Sequence, residues 1–295
     1  MQSKELQTIV DLIPKDFADP GADFNAVRAM FAPFHGHPVS RGFPVLINDY
    51  GGVRCGDYAL DGSPGTVTAF HCHGGAFVYT GLDEYHFYAE IIARQTGCRV
   101  VMPDYRLAPE HPYPAAADDC YHAYRGLLES GTKPSRIVVM GESCGGSLAI
   151  GLLLRLRDEG LPLPACFVSL TGWFDLSVAG PASPGKDPFL TPEWVRNRGR
   201  DYLNGKLALE DPRVSCAYAD LHGLPPMYIQ IGEFDTVREG AITLAAKALR
   251  EGVAVTMEGW PAMMQGWHGL VTADVPEAFR AWSAIRRYIE AICAA

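Results

Sequence analysis

The chain has 295 residues, 48% of them hydrophobic and 20% charged, which suits one large α/β core or two modest domains. A formal charge of −9 with no runs of Lys or Arg excludes a nucleic-acid surface and leaves a small organic substrate or a protein partner. Asp11, Lys15 and Asp16 interrupt the N-terminal segment, so neither a signal peptide nor a membrane span is expected, and the eight cysteines, spread without a C-x-x-C pair, read as buried thiols of a reducing, cytoplasmic compartment.

Leu6, Ile9, Val10 and Ile13 recur at helical spacing and Pro14 follows, which predicts a docking helix at the start. Residues 66–71 and 98–102 are short β-branched runs around a helix over 83–95 that Gly97 ends, a β-α-β unit. A Pro-rich irregular segment reaches Pro114, and a helix follows over 115–128 with Asp118 and Asp119 near its positive end. Strands are then predicted at 136–140, 165–170, 227–231 and 254–257, with helices to about Arg157, over 241–251 and over 275–292. Alternating strands and helices imply an α/β fold with a mostly parallel sheet covered on both faces. Residues 172–225, with a helix at 192–203, interrupt that rhythm and are assigned, with the N-terminal helices, to a lid over the carboxyl ends of the strands.

The stretch Gly141-Glu-Ser-Cys-Gly-Gly146 sits where a predicted strand becomes a helix. In a G-x-S-x-G turn the serine is forced into a strained backbone, and small residues two positions either side leave room for it. Ser143 is therefore the candidate nucleophile, with the N–H of Cys144 facing the same space at the start of the next helix. A serine hydroxyl needs a base and a third group to orient that base. His268, in a Gly-bounded loop before the last helix, is the expected base, and Asp235, beyond a predicted strand, is the favoured orienting acid over Glu233 and Asp175. The loop from Cys72 to Phe77 is rich in small residues and offers backbone N–H groups to an oxyanion. Three potential ligands on one extended segment rarely converge on an ion, so His71, Cys72 and His73 are not read as a metal site; His73 is expected to shape the loop.

Taken together, His73-Gly-Gly-Ala76, the run from Asp104 to Asp119 (DYRLAPEHPYPAAADD), Gly141 to Gly146, Asp211-Pro-Arg-Val-Ser215, Gly223-Leu-Pro-Pro226 and Gly232-Glu-Phe-Asp235 resemble the hormone-sensitive-lipase-like esterases of the α/β-hydrolase fold. The resemblance implies a mostly parallel central sheet with helices on both faces and a helical cap. It divides the chain into N-terminal cap helices (1–45), hydrolase core (46–175), cap insertion (176–214) and core (215–295). It implies a cofactor-free, metal-free serine carboxylesterase using Ser143, Asp235 and His268, with Gly75, Ala76 and Cys144 as oxyanion donors and Gly74 shaping their loop. This chain departs from the family at Ala76, where a third glycine is usual, at Glu142 and Cys144, where Asp and Ala are usual, and at Gly269-Leu270, where x-Phe often follows the histidine.

Phe77, Tyr79, Trp173, Phe189, Trp194, Met264 and Trp267 are candidate pocket residues, with Phe174 and Met263 as further ones, and their bulk predicts a narrow acyl site for short-chain esters. The expected partner is a small-molecule ester, and a homodimer is left open. Two alternatives remain: a lactone or amide hydrolase with the same triad, and a non-catalytic receptor of the same fold. The gibberellin receptors, which resemble this family, have lost the catalytic histidine.

Overall fold

The computed structural model describes residues 3–13, 19, 21–31, 43, 45–60, 66–180 and 186–294. Eight strands form one sheet: β1 (Val45–Tyr50), β2 (Val53–Tyr58), β3 (Thr68–Cys72), β4 (Arg99–Pro103), β5 (Ile137–Glu142), β6 (Cys166–Leu170), β7 (Met227–Gly232) and β8 (Val255–Trp260). The spatial order is β1-β2-β4-β3-β5-β6-β7-β8, antiparallel at β1-β2-β4 and parallel from β4 onward. The helices are α1 (Lys4–Leu12), α2 (Phe24–Phe31), α3 (Leu82–Thr96), α4 (Ala115–Glu129), α5 (Gly145–Asp158), α6 (Pro192–Leu203), α7 (Arg238–Arg250) and α8 (Pro276–Ala294).

Strand side chains alternate between two faces, and the core divides accordingly. On β5, Ile137 and Val139 join the cluster formed with α4, α5 and α7, while Val138 and Met140 join the one formed with α3 and α8. Both faces are buried, which is why these strands read as continuous apolar runs. Gly97, at φ 76, ends α3 and donates its N–H to Ala93 O at 2.8 Å.

The hairpin β1-β2 lies where no strand was expected. It turns through Gly51 and Gly52, both with positive φ, a glycine pair that suits a two-residue hairpin. Its outer strand exposes Leu46 and Ile47, so the alternation of a half-buried strand is absent from the sequence there.

The N-terminal helices do not share one role. Ser3 beside α1 donates its hydroxyl to Glu277 of α8 at 2.8 Å, and Leu6 packs into the α3/α8 cluster. α2 instead lies over the active-site end, where Arg28 donates to Val78 O at 2.7 Å and to Ala108 O at 3.0 Å. α6 is tied toward α2 by Arg198, which donates to Ala22 O at 2.9 Å.

Helix α4 approaches the hairpin so closely that a Cβ on Gly126 would stand 2.2 Å from Gly51 N. Gly126→Ala is therefore expected to cost about 1–3 kcal/mol in urea unfolding, the usual range for overpacking. An unchanged midpoint would show that the contact yields freely.

Candidate active site

Ser143 follows the last residue of β5 and precedes the first turn of α5. Its φ is 51, left-handed for a non-glycine residue, and the strain is held by three backbone hydrogen bonds. Ser143 N donates to Leu170 O at 3.2 Å, while Trp173 N and Gly146 N donate to Ser143 O at 2.7 and 2.9 Å. The two motif glycines are sterically required: a Cβ on Gly141 would lie 2.5 Å from Gly145 O, and one on Gly145 would lie 2.0 Å from Cys72 O. The bend leaves Ser143 partly exposed between buried Glu142 and Cys144.

The 74–80 loop carries further left-handed residues: Gly75 (φ 107), Ala76 (φ 50), Phe77 (φ 66) and Thr80 (φ 60). Ala76 thus adopts the conformation that the family's glycine would reach without strain. The loop is cross-linked to the elbow, where Phe77 N donates to Cys144 Sγ at 3.3 Å. Burial raises the Cys144 thiol to about 12, so it serves here as a neutral acceptor. Cys144 caps α5, and its own N–H is among those an α-helix start leaves without an intrahelical partner. His73 Nδ1 donates to Gly74 O at 2.7 Å and its ring stacks on Tyr105, which fixes the loop's root.

A cavity of about 370 Å³ opens over the serine. Gly75, Ala76, Glu142, Ser143 and Gln265 form its polar end, and Tyr79, Tyr85, Tyr88, Trp173, Phe189 and Trp194 supply aromatic wall. Val27 of α2 and Val195 of α6 complete the side toward the cap. Of the aromatic and Met residues expected there, Tyr79, Trp173, Phe189 and Trp194 line it. Phe77 does not, because it stacks on Tyr202 with centroids 3.9 Å apart. Phe174 packs in the core against Phe167, Met263 and Met264 are buried in the α3/α8 cluster, and Trp267 is sandwiched between Trp260 and His268. Gly74 is not part of the wall; a Cβ there would stand 1.8 Å from Glu142 Oε2, so its bareness makes room for that carboxyl.

The expected base is not at the serine. His268 lies in the turn 267–273, fully buried, with Nε2 2.8 Å from Gln230 Oε1 and its ring stacked on Trp267. Gln230 Nε2 is engaged with Glu258 and Ala281 O, so Gln230 Oε1 accepts and His268 Nε2 donates. His268 Nδ1 has no partner, and burial lowers the ring to about 3. In a neutral imidazole with its Nε2 proton committed to Gln230, Nδ1 is the acceptor nitrogen, and it makes no hydrogen bond to Ser143. Nor does Asp235 orient it: Asp235 Oδ1 accepts from Val237 N at 3.0 Å, and Oδ2 has no partner. Burial, with Asp187 nearby, holds the Asp235 carboxyl well above the usual range. The competing acids are engaged elsewhere. Glu233 accepts from Ala262 N, and Asp175 accepts from Ser177, Ala179 and Tyr218.

Glu142 and Gln265 are polar side chains that line the cavity with Ser143. Glu142 accepts from Tyr85 OH at 2.9 Å, and burial raises it to about 7. Gln265 donates to Thr171 O at 3.1 Å and lies 3.4 Å from Glu142 Oε1.

Residues 69–269 match the family described as the alpha/beta hydrolase fold. This chain belongs to the α/β-hydrolase family. Within it, the hydrolase is of the hormone-sensitive-lipase-like esterase type. It is 36% identical over 207 residues to an acetyl-hydrolase of Streptomyces hygroscopicus, covering 68% of each chain. It is 32% identical over 240 residues to an esterase of Acinetobacter venetianus, covering 80% of this chain and 78% of that one. Among solved structures it superposes with TM-score 0.91 on an esterase from the bacterial hormone-sensitive lipase family, at 32% identity and 99% coverage of both chains.

Two residues of this hydrolase's site were not singled out in the sequence. Glu142 was visible only as a departure from the usual motif, and Gln265 carried no signal, since the register of the 263–268 loop decides which side chain reaches the serine. Tyr85 and Tyr88 were legible in principle, three apart on one face of α3.

Glu142 gives a stability test with a definite sign. Its folded pKa, about 7, stands above the ordinary 4.5, so the folded chain keeps a proton that the unfolded chain releases. That contribution is present at low pH and is lost as pH rises through 7, on the order of 3 kcal/mol at about 1.36 kcal/mol per pKa unit. Glu142→Gln should therefore gain stability over the wild type progressively from pH 5 to pH 8 in urea unfolding. A difference independent of pH would contradict burial as the cause.

Proposed function

We propose that this hydrolase cleaves small, short-acyl carboxylic esters through an acyl intermediate on Ser143. The observation that carries the reading is the Ser143 hydroxyl on its left-handed bend, at the polar end of an apolar cavity it shares with Gly75 and Ala76. Ser143 Oγ attacks the acyl carbon, and the backbone N–H groups of Gly75, Ala76 and Cys144 receive the negative charge that develops on the carbonyl oxygen. Glu142 is the group in the cavity wall that takes a proton near neutral pH, and it accepts the one Ser143 releases. As the ester C–O bond breaks, Glu142 returns that proton to the leaving alkoxide, and water then hydrolyses the acyl-serine, its proton going to Ser143 Oγ; no cofactor enters. The same route would open a lactone or cleave an amide. The names of the relatives, an acetyl-hydrolase among them, support a short acyl group.

A second reading, ligand binding without turnover, is favoured by one observation: among the described residues, no imidazole lines the cavity. Asp235 and His268, expected from the sequence as triad members, find no support in their contacts. The expected division into cap and core is supported by Val27, Trp194 and Val195 reaching the cavity from 1–45 and 176–214. The eight free, buried cysteines fit a reducing, cytoplasmic location. No described helix is long and apolar enough to cross a membrane.

Incubation with p-nitrophenyl acetate and butyrate, read by nitrophenolate release and intact mass, tests the acyl route. The wild type should show an acyl adduct that Ser143→Ala lacks at unchanged melting temperature, and Glu142→Gln should slow acylation roughly 10²-fold. The rate should rise through about pH 7 as Glu142 loses its proton. An adduct that survives in Ser143→Ala would refute the nucleophile. Activity that climbs with chain length beyond octanoate would refute the short-acyl site.

A further inference from the structure

Among the described residues no imidazole lines the cavity over Ser143, and the surroundings of Gln265 indicate where one would sit. Gln265 shares the cavity wall with Ser143 and the oxyanion loop. It is held in place twice over, since its Nε2 donates to Thr171 O and the following N–H, of Gly266, donates to Thr171 Oγ1 at 3.1 Å. The loop carrying Asp235 is fastened to the same segment, with Phe234 N donating to Met263 O at 2.8 Å. Two buried acceptors in these joined loops, Gln265 Oε1 and Asp235 Oδ2, have no donor. An unsatisfied buried polar group is costly, and each such atom in a folded protein asks for an explanation.

We infer that position 265, not 268, is where this fold seats an imidazole base, and that the glutamine there throttles acyl transfer by leaving the Ser143 proton to Glu142 alone. This rests on the ester-hydrolase reading above. An amide oxygen accepts a hydrogen bond but does not hold a proton near neutral pH. A histidine at 265 would do both. As the Ser143 Oγ–carbon bond forms and the carbonyl electron pair moves onto oxygen, one ring nitrogen takes the Oγ proton. The same nitrogen returns it to the leaving alkoxide as the ester C–O bond breaks, while the other ring N–H donates to Asp235 Oδ2. The two orphaned acceptors are accounted for together: one is removed with the amide, and the other gains a donor.

The test compares the wild type, Gln265→His, Gln265→His with Asp235→Asn, and His268→Gln, which keeps a donor for Gln230. Steady-state hydrolysis of p-nitrophenyl butyrate is measured per folded molecule from pH 5 to 9, with Ser143 reactivity followed by intact mass after a fluorophosphonate. Gln265→His should raise kcat roughly 10²–10⁴-fold, the span of general-base catalysis, with a new rising limb between pH 6 and 7. Asp235→Asn should remove most of that gain, and His268→Gln should leave wild-type turnover unchanged. A labelled Ser143 with no gain in Gln265→His overturns the inference while the nucleophile stands. Loss of wild-type turnover in His268→Gln overturns it in favour of His268. A Ser143 that takes no label in any variant removes the ester-hydrolase reading and the inference with it.

Discussion

The left-handed backbone of Ser143 is the constraint on which the rest of the site depends. A non-glycine residue at φ 51 costs of order 1–3 kcal/mol, and it persists because neighbours over-determine it. Three hydrogen bonds fix its amide and carbonyl, two to β6 and the segment after it and one to the first turn of α5, and the absence of Cβ atoms at Gly141 and Gly145 lets the strand, the helix and the oxyanion loop close on one point. The left-handed residues Ala76, Phe77, Thr80 and Thr171 gather around the same end of the sheet. Strain concentrated where a hydroxyl, free amides and an apolar cavity meet is the pattern of a site built to react with a carbonyl.

What the hydroxyl lacks is decided by a second set of contacts. His268 is anchored by Gln230, by its stack on Trp267 and by Trp282 Nε1 donating to its carbonyl at 2.9 Å. Pulling the ring toward Ser143 would strand Gln230 Oε1, at about 1–3 kcal/mol, and forfeit the aromatic stack, at about 0.5–1.5 kcal/mol. The same compact packing that makes this layer stable thus keeps the imidazole out of the chemistry. In the proposed route the proton is left to a pair of side chains of different kind, a carboxyl raised toward neutrality by burial and an amide that only accepts or donates hydrogen bonds.

The fold was largely legible because buried parallel strands and their crossover helices each leave a strong apolar signature. The helix 192–203 and the turn at Ser143 were readable from Pro192 and from the spacing of Gly141 and Gly145. The hairpin β1-β2 was not, since its outer strand faces outward and only Gly51-Gly52 marked it. Chain order led to His268 as the base, and chain order says nothing about which face of a loop points inward. Gln265 and His268 stand three positions apart, nearly one turn, and the left-handed Gly266 between them changes direction. The pocket failed in the same way at Met264 and Trp267, which face the α3/α8 layer, and at Phe77, which turns to Tyr202, and succeeded at Tyr79 and Trp173 of the strand-end loops and at Phe189 and Trp194, just before and within α6.

A crystal structure of the wild type carrying a phosphonate on the serine would test the central claim most directly. The account predicts phosphorus bonded to Ser143 Oγ, its oxygen within hydrogen-bond reach of the Gly75 and Ala76 amides, Gln265 beside the adduct, and His268 still on Gln230. An adduct with the 267–273 turn rearranged and the His268 ring against Ser143 would contradict it.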